Sequence, residues 1–403
     1  VNGLGSTNGN PNNPGTINGA STVVNGVGNL IVGYNELGNP AGDDRTGSHN
    51  VVLGMANSHP SFGGLVGARE NTISGAFSTV SGGRNNSARS AFGSVSGGKS
   101  NIVKGSYGSV SGGWFNTATG SRSSVSGGRS NKATGARSSV TGGMANTAKA
   151  AESTVTGGWF NITTGSVSVV SGGRGNKASG ARASVSGGFS NTASGDQSSV
   201  SGGQGSTASA ASASISGGMN QLASGSWSAI SGGKDNTATA DHASVSGGEA
   251  NDATGNGSSI SGGHDGTASG INSAVTGGGS NLASGLRSSI SGGFEGTATS
   301  REASVSGGKG NLSSGYYSSI SGGAFNDATA SASAVSGGFG NSAIAKSSSV
   351  SGGAYNTAAA VYSSVRGGYA NSASGAFSTV SGGNSRSVVG SSNWRGGGTF
   401  WNY

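Results

Sequence analysis

Ser109-Val110-Ser111-Gly112-Gly113-Trp114-Phe115-Asn116-Thr117-Ala118-Thr119-Gly120 sets a pattern that returns every fifteen residues along most of the chain. Steps of fifteen from Val80 land on Val95, Val110, Val125 and Val140, pass Ile215 and Ile230, and end at Val380. That makes twenty-one consecutive β-branched residues, each followed by Ser, Thr or Arg and then Gly-Gly. A fixed period of this kind marks an architecture built by stacking one small unit on the next.

Val, Ile, Thr and Ser alternate with period two and nothing recurs at helical spacing, so each unit reads as strand and turn. With Val or Ile at position zero, Ser or Ala two residues before it and Gly two residues after it share its face. Asn, Ala and Gly share the face of the second half. If the chain doubles back through the Gly-x-x turn, Val110 and Val125 oppose Ala118 and Ala133, a large residue against a small one. By the same logic Gly112 leaves room for Asn116, and Asn116, Asn131 and Asn191 form a stack of amides bonded to the coils above and below. Ser206, Gln221, Gly266, Gly296 and Arg386 interrupt that stack, which predicts irregular coils there. The second Gly of each pair supplies a turn conformation that a side chain would hinder. The expected fold is all-β: a single elongated β-solenoid, a parallel β-roll of 15-residue coils with two short strands per coil. About 22 coils at ~4.8 Å each would make a rod on the order of 100 Å long.

The ends read differently. Residues 1–62 form a Gly/Asn-rich arm followed by irregular coils at Asn29-Leu30-Ile31-Val32-Gly33 and Asn50-Val51-Val52-Leu53-Gly54. Leu65 falls one period before Val80, so regular winding is expected over residues 63–390. In residues 391–403, Trp394, Phe400, Trp401 and Tyr403 crowd together beside Arg395, as a cap on the last coil or a docking tail for a neighbouring subunit. Val1 opens the chain with no charged, apolar leader, which fits a mature chain, an excised one, or one not secreted by that route.

Composition narrows the classes. The formal charge of +8 comes from a chain only 9% charged, and an excess spread thinly over 403 residues argues against a nucleic-acid partner. No Cys is present, so there is no disulfide framework and no thiol chemistry. No apolar run approaches the ~18 residues that would span a bilayer as a helix. His49, His59, His242 and His264 are scattered, Asp235, Asp265 and Asp327 are singletons, and no nucleophile elbow with Asp and His partners stands out. The Asp43-Asp44 loop is the one stretch that invites a cation. No metal, cofactor or catalytic residue is expected, and the chain does not read as an enzyme.

Outward positions give hydroxyl rows such as Ser109/Ser111, Thr154/Thr156 and Thr117/Thr119, the second face being broken by Lys132, Lys149, Lys177, Asp252, Leu282 and Asp327. The aromatics fall at the turns. Trp114, Phe115, Trp159 and Phe160 occupy the Gly-x-x turn and Trp227, Tyr316 and Tyr317 the other, which makes the two edges candidate contact surfaces.

Ser124-Val125-Ser126-Gly127-Gly128 followed by Asn131-Lys132-Ala133-Thr134-Gly135 resembles the head repeats of trimeric autotransporter adhesins. The likeness covers residues 63–390 and includes one extra residue per coil; it implies a left-handed parallel β-roll that assembles with itself. Asn71-Thr72-Ile73-Ser74-Gly75 and Asn191-Thr192-Ala193-Ser194-Gly195 are similar to the grass ice-binding β-roll. The first expectation is therefore a non-enzymatic, extracellular or cell-surface fibre component that is structural or adhesive and associates as a homo-trimer or filament. Ice binding through a flat Ser/Thr face and glycan or surface binding through the turn aromatics are the alternatives.

Overall fold

The computed structural model describes Gly26 and residues 28–396, so Phe400, Trp401 and Tyr403 lie outside the described residues. Two compact units are present, Val1–Gly202 and Gly203–Tyr403. Each is a parallel β-solenoid with two short strands per coil, and no helix occurs among the described residues.

The first unit begins with β1 (Leu30–Val32), β2 (Val51–Leu53), β3 (Leu65–Val66), β4 (Thr72–Ile73) and β5 (Thr79–Val80). Leu30 pairs with Val51, Val51 with Leu65, and Leu65 with Thr79, so the early steps run to twenty-one, fourteen and fourteen residues. The step becomes fifteen where Thr79 pairs with Ser94. Leu65 is therefore not in phase with Val80. Val66 is the buried residue beneath Val80, and Leu65 is only half-buried. A one-residue shift exchanges the faces of a strand, so the fourteen-residue coil decides which apolar side chain goes inside. In the second unit the steps of fifteen extend from Thr207–Ala208 through Trp394–Arg395, where Arg395 pairs with Val380.

The coil that starts at Ser109 shows how backbone groups are satisfied. Ser109 N–H donates to Ser123 O (2.9 Å), Trp114 N–H to Gly128 O (2.9 Å), and Thr117 N–H to Asn131 O (2.9 Å), all toward the next coil. Phe115 N–H and Arg122 N–H donate the other way, to Lys99 O (3.0 Å) and Ser106 O (2.8 Å). Trp114 thus belongs to a third line of bridges, between the two strands, that the residue pattern did not disclose.

Val80, Val95, Val110, Val125, Val140, Ile215 and Ile230 are fully buried, as are Ala118 and Ala133. Position −2 is buried whether it holds Ser123 or Ala183, so small volume rather than a hydroxyl is what it requires. The glycine reading needs correcting. A Cβ on Gly112 would meet nothing within 4 Å, whereas one on Gly113 would lie 2.2 Å from Gly128 O and 2.6 Å from Asn116 Nδ2. The second glycine, at φ +82°, makes the close approach, and the first faces open space. Only a residue without a side chain lets adjacent backbones come that near at this φ.

Asn116, Asn131 and Asn191 are buried. Their amides do not bond to one another; they bond to backbone. Asn131 Oδ1 accepts from Asn146 N–H (2.9 Å), while Asn131 Nδ2 donates to Gly127 O in its own coil (2.8 Å) and Gly143 O in the next (3.0 Å). One side chain thereby partners two turn groups, Asn146 N–H and Gly127 O, and adds a second donor to Gly143 O, which also accepts from Arg129 N–H (2.9 Å). The interruptions do not distort the winding as expected. Asp252 still pairs with Thr267, and Thr267 with Leu282, around Gly266. Gly266 N–H still donates to Asn251 Oδ1 (2.9 Å), because the accepting side chain lies one coil earlier. A missing Asn costs hydrogen bonds, not register.

Asn131→Ala should therefore lower stability by about 2 kcal/mol or more, with Asn146 N–H and Gly127 O left unpartnered. Hydrogen exchange at the Asn146 amide should accelerate selectively, because its acceptor is gone.

Candidate functional site

Each regular coil turns twice through a left-handed residue that is usually not glycine. Phe115 (φ 59°) and Phe160 (φ 56°) occupy the first of these positions, and Trp227 (φ 61°) and Tyr317 (φ 59°) the second. Such residues aim their side chains outward from a tight corner. Sequence reasoning located the turns but not this conformation, since Phe, Trp, Arg and even Val carry no αL signature.

The candidate edge residues are exposed: Trp114 at 56%, Trp159 at 52%, Trp227 at 62%, and Tyr316 and Tyr317 at 52%. They do not converge on one spot. Trp114 and Trp159 stand on the same edge of the first unit, three coils apart, whereas Tyr316 and Tyr317 are neighbours in the second unit with ring centroids 6.0 Å apart. Trp394 is exposed, and its Nε1 donates to Ser381 Oγ (2.6 Å). Other aromatics that the residue pattern places at the turns are brought into columns by the structure. Phe77, Phe92 and Tyr107 stack at 5.4 and 4.8 Å, with Arg122 5.9 Å over the Tyr107 ring. Phe325, Phe339, Tyr355 and Tyr369 alternate edge-to-face at 5.3–5.7 Å. Aromatics fifteen residues apart stack in register, as at Phe77, Phe92 and Tyr107, whereas the Phe325 column steps by fourteen, sixteen and fourteen residues and meets edge to face.

Charge is not spread evenly, contrary to expectation. Residues 1–202 carry fourteen Lys and Arg against six Asp and Glu, while residues 203–403 carry eight of each, so the whole formal excess of +8 resides in the first unit. In the second unit ladder neighbours alternate in sign: Lys234 Nζ meets Glu249 Oε1 at 2.6 Å, and Arg287 lies 3.6 Å from Glu302. Glu249 holds the Lys234 ammonium above its usual range, and Lys234 holds that carboxyl below its own.

The Asp43-Asp44 loop spends its carboxylates internally. Asp43 accepts from Gly38 N–H and Asn39 N–H (3.0 Å each), and Asp44 from Thr46 N–H (3.0 Å) and Thr46 Oγ1 (2.7 Å). These bonds lower both pKa values. A recess of about 350 Å³ beside it is lined by Asp44, Ser58, Thr72, Ser87 and Arg89 among others. Among the described residues no group of three or more His, Cys, Asp and Glu could hold a metal ion, and no helix is long and apolar enough to cross a membrane. The hydroxyl faces are present but broken. Along one row Ile102, Thr117, Lys132, Thr147, Ile162 and Lys177 are successive register partners.

No family model matches the sequence. No curated protein matches it either.

Two outcomes follow from the edges. Val167, a β-branched residue held at φ 59° and 47% exposed, is strained where glycine is not. Val167→Gly should raise the denaturation midpoint, by up to about 1 kcal/mol in stability. Glu70, with a side chain 8% exposed, is held below the usual carboxyl range first by Arg84 Nε (2.7 Å) and then by Arg69 Nε (2.8 Å). A depressed folded pKa gives stability that is present above the unfolded value of about 4.3 and lost as pH falls through the folded value. The melting temperature of the wild type should therefore drop more steeply below about pH 4.3 than that of Glu70→Gln.

Proposed function

We propose that this chain is a non-enzymatic, extracellular structural or adhesive fibre component whose solenoid units associate with further copies of the chain. The observation that carries this reading is the first coil of the first unit. Among the described residues β1 is paired only by β2, on one side, and Leu30 (60%), Val32 (56%), Tyr34 (94%) and Leu37 (72%) are exposed there. An apolar strand with an open edge is a template for another chain unless it is blunted by charge or proline, and Leu30–Val32 has neither.

Sedimentation of the full chain should show assembly that grows with concentration, and Leu30→Lys with Val32→Lys should shift it toward monomer without lowering the main melting transition. A wild-type chain that stays monomeric at high concentration, with no ordered particles in electron micrographs, would overturn the self-association.

Ice binding by a Ser/Thr face draws support from one feature, the in-register row Ser109, Ser124, Ser139 and Thr154. Thermal hysteresis above an albumin control would favour it; hysteresis equal to that control removes it.

A further inference from the structure

Residues 114–137 and 159–182 repeat one another at forty-five residues, three coils apart. Trp114-Phe115-Asn116 returns as Trp159-Phe160-Asn161, and the run Gly-Gly-Arg-x-Asn-Lys-Ala that starts at Gly127 returns at Gly172. Nothing in the coil requires this longer period, because Val, Ala, Asn and the turn glycine recur every fifteen residues without it.

What the longer period repeats is an exposed surface. Trp114 bridges Arg129 in the next coil, and Trp159 bridges Arg174 in the same way. Lys132 and Lys177 stand three residues further along those coils, exposed on the adjoining broad face. Arg129, Lys132, Arg174 and Lys177 have no ion-pair partner among the described residues. Between Arg84 and Arg182 the only acidic residue is Glu152, and it pairs with Arg137 on the opposite edge. Each module therefore offers an exposed indole, an exposed guanidinium from the bridged residue of the next coil and an exposed ammonium three residues on; the Arg174 guanidinium also lies 5.6 Å over the Phe189 ring. The two copies are in line along the winding axis, separated by three coil spacings, about 14 Å.

We propose that this edge of the first unit binds a linear acidic polysaccharide. A sugar ring lies on each indole, and a carboxylate or sulfate of the same polymer is taken by the Arg and Lys beside it. Arg suits the task because its planar fork receives such anions through two parallel hydrogen bonds. Duplication in line selects a repeating polymer over a small molecule, since the second module binds at the effective concentration set by the first. Charge spacing selects the polymer: a nucleic-acid strand carries a charge about every 3.4 Å and would bring about four phosphates to each ~14 Å step, against one edge arginine. The proposal specifies the partner of the turn aromatics and does not depend on self-association.

The test uses the full chain with polymeric hyaluronate, which has one carboxylate per disaccharide, beside a hyaluronate tetrasaccharide, neutral dextran and poly(dT). Polymeric hyaluronate should bind more tightly than the tetrasaccharide, and dextran should not bind. Trp114→Ala with Trp159→Ala, and separately Arg129→Gln with Arg174→Gln, should each weaken polymer binding at least tenfold with the melting temperature unchanged. The Gln pair keeps the aliphatic stems and tests charge even if the Ala pair folds poorly. Removing one module should abolish the advantage of polymer over tetrasaccharide. Tighter binding of poly(dT), equal binding of dextran, or wild-type affinity in both double variants would overturn the proposal.

Discussion

The structure rests on in-register pairing of successive coils through their main chains. Strand residues such as Ser109 and Thr117 donate to the coil ahead, and the left-handed corner residues Phe115 and Arg122 donate to the coil behind. Each coil with neighbours on both sides is thereby clamped from both directions, and must match them in length and path. The conserved spacing, the small residues and the turn glycine all serve that match. At Gly113 a single added carbon would lie 2.2 Å from the next coil's carbonyl oxygen.

Polar atoms do as much inside this solenoid as apolar ones. A Val or Ile and an Ala per coil make a thin core, and the buried Asn holds the turn to it through three side-chain bonds. Because those bonds run from each coil to the next, the loss of one Asn is felt locally. Gly266 and Gly296 show this: the N–H of each still donates to its predecessor's Asn Oδ1 but neither has a side-chain amide to extend forward. Nearest-neighbour coupling of this kind tolerates scattered defects.

The outward surface is free of that constraint, and there the two units diverge. Acids equal cations in number in the second unit, where Lys234 meets Glu249 one coil away, while in the first the cations outnumber the acids and Arg129 and Lys132 have no ion-pair partner among the described residues. A stacked fold amplifies such choices, because any residue repeated at a multiple of fifteen becomes a row.

Period and alternation were enough to read the all-β solenoid, the buried Val and Ala rows, the buried Asn and the turn location of Trp114 and Trp159, because volume and strand periodicity are properties of side chains and their order. The phase of the first coils, the outward Gly112 against the inward Gly113, and the bonding of Asn131 to backbone rather than to amides were decided only in three dimensions. Those features depend on where one coil's carbonyl oxygens fall against the next, a distance between residues fourteen or fifteen apart that no local pattern encodes. The left-handed corners belong with them, since Val167 and Phe115 accept that strain only because coils on both sides hold the chain in place.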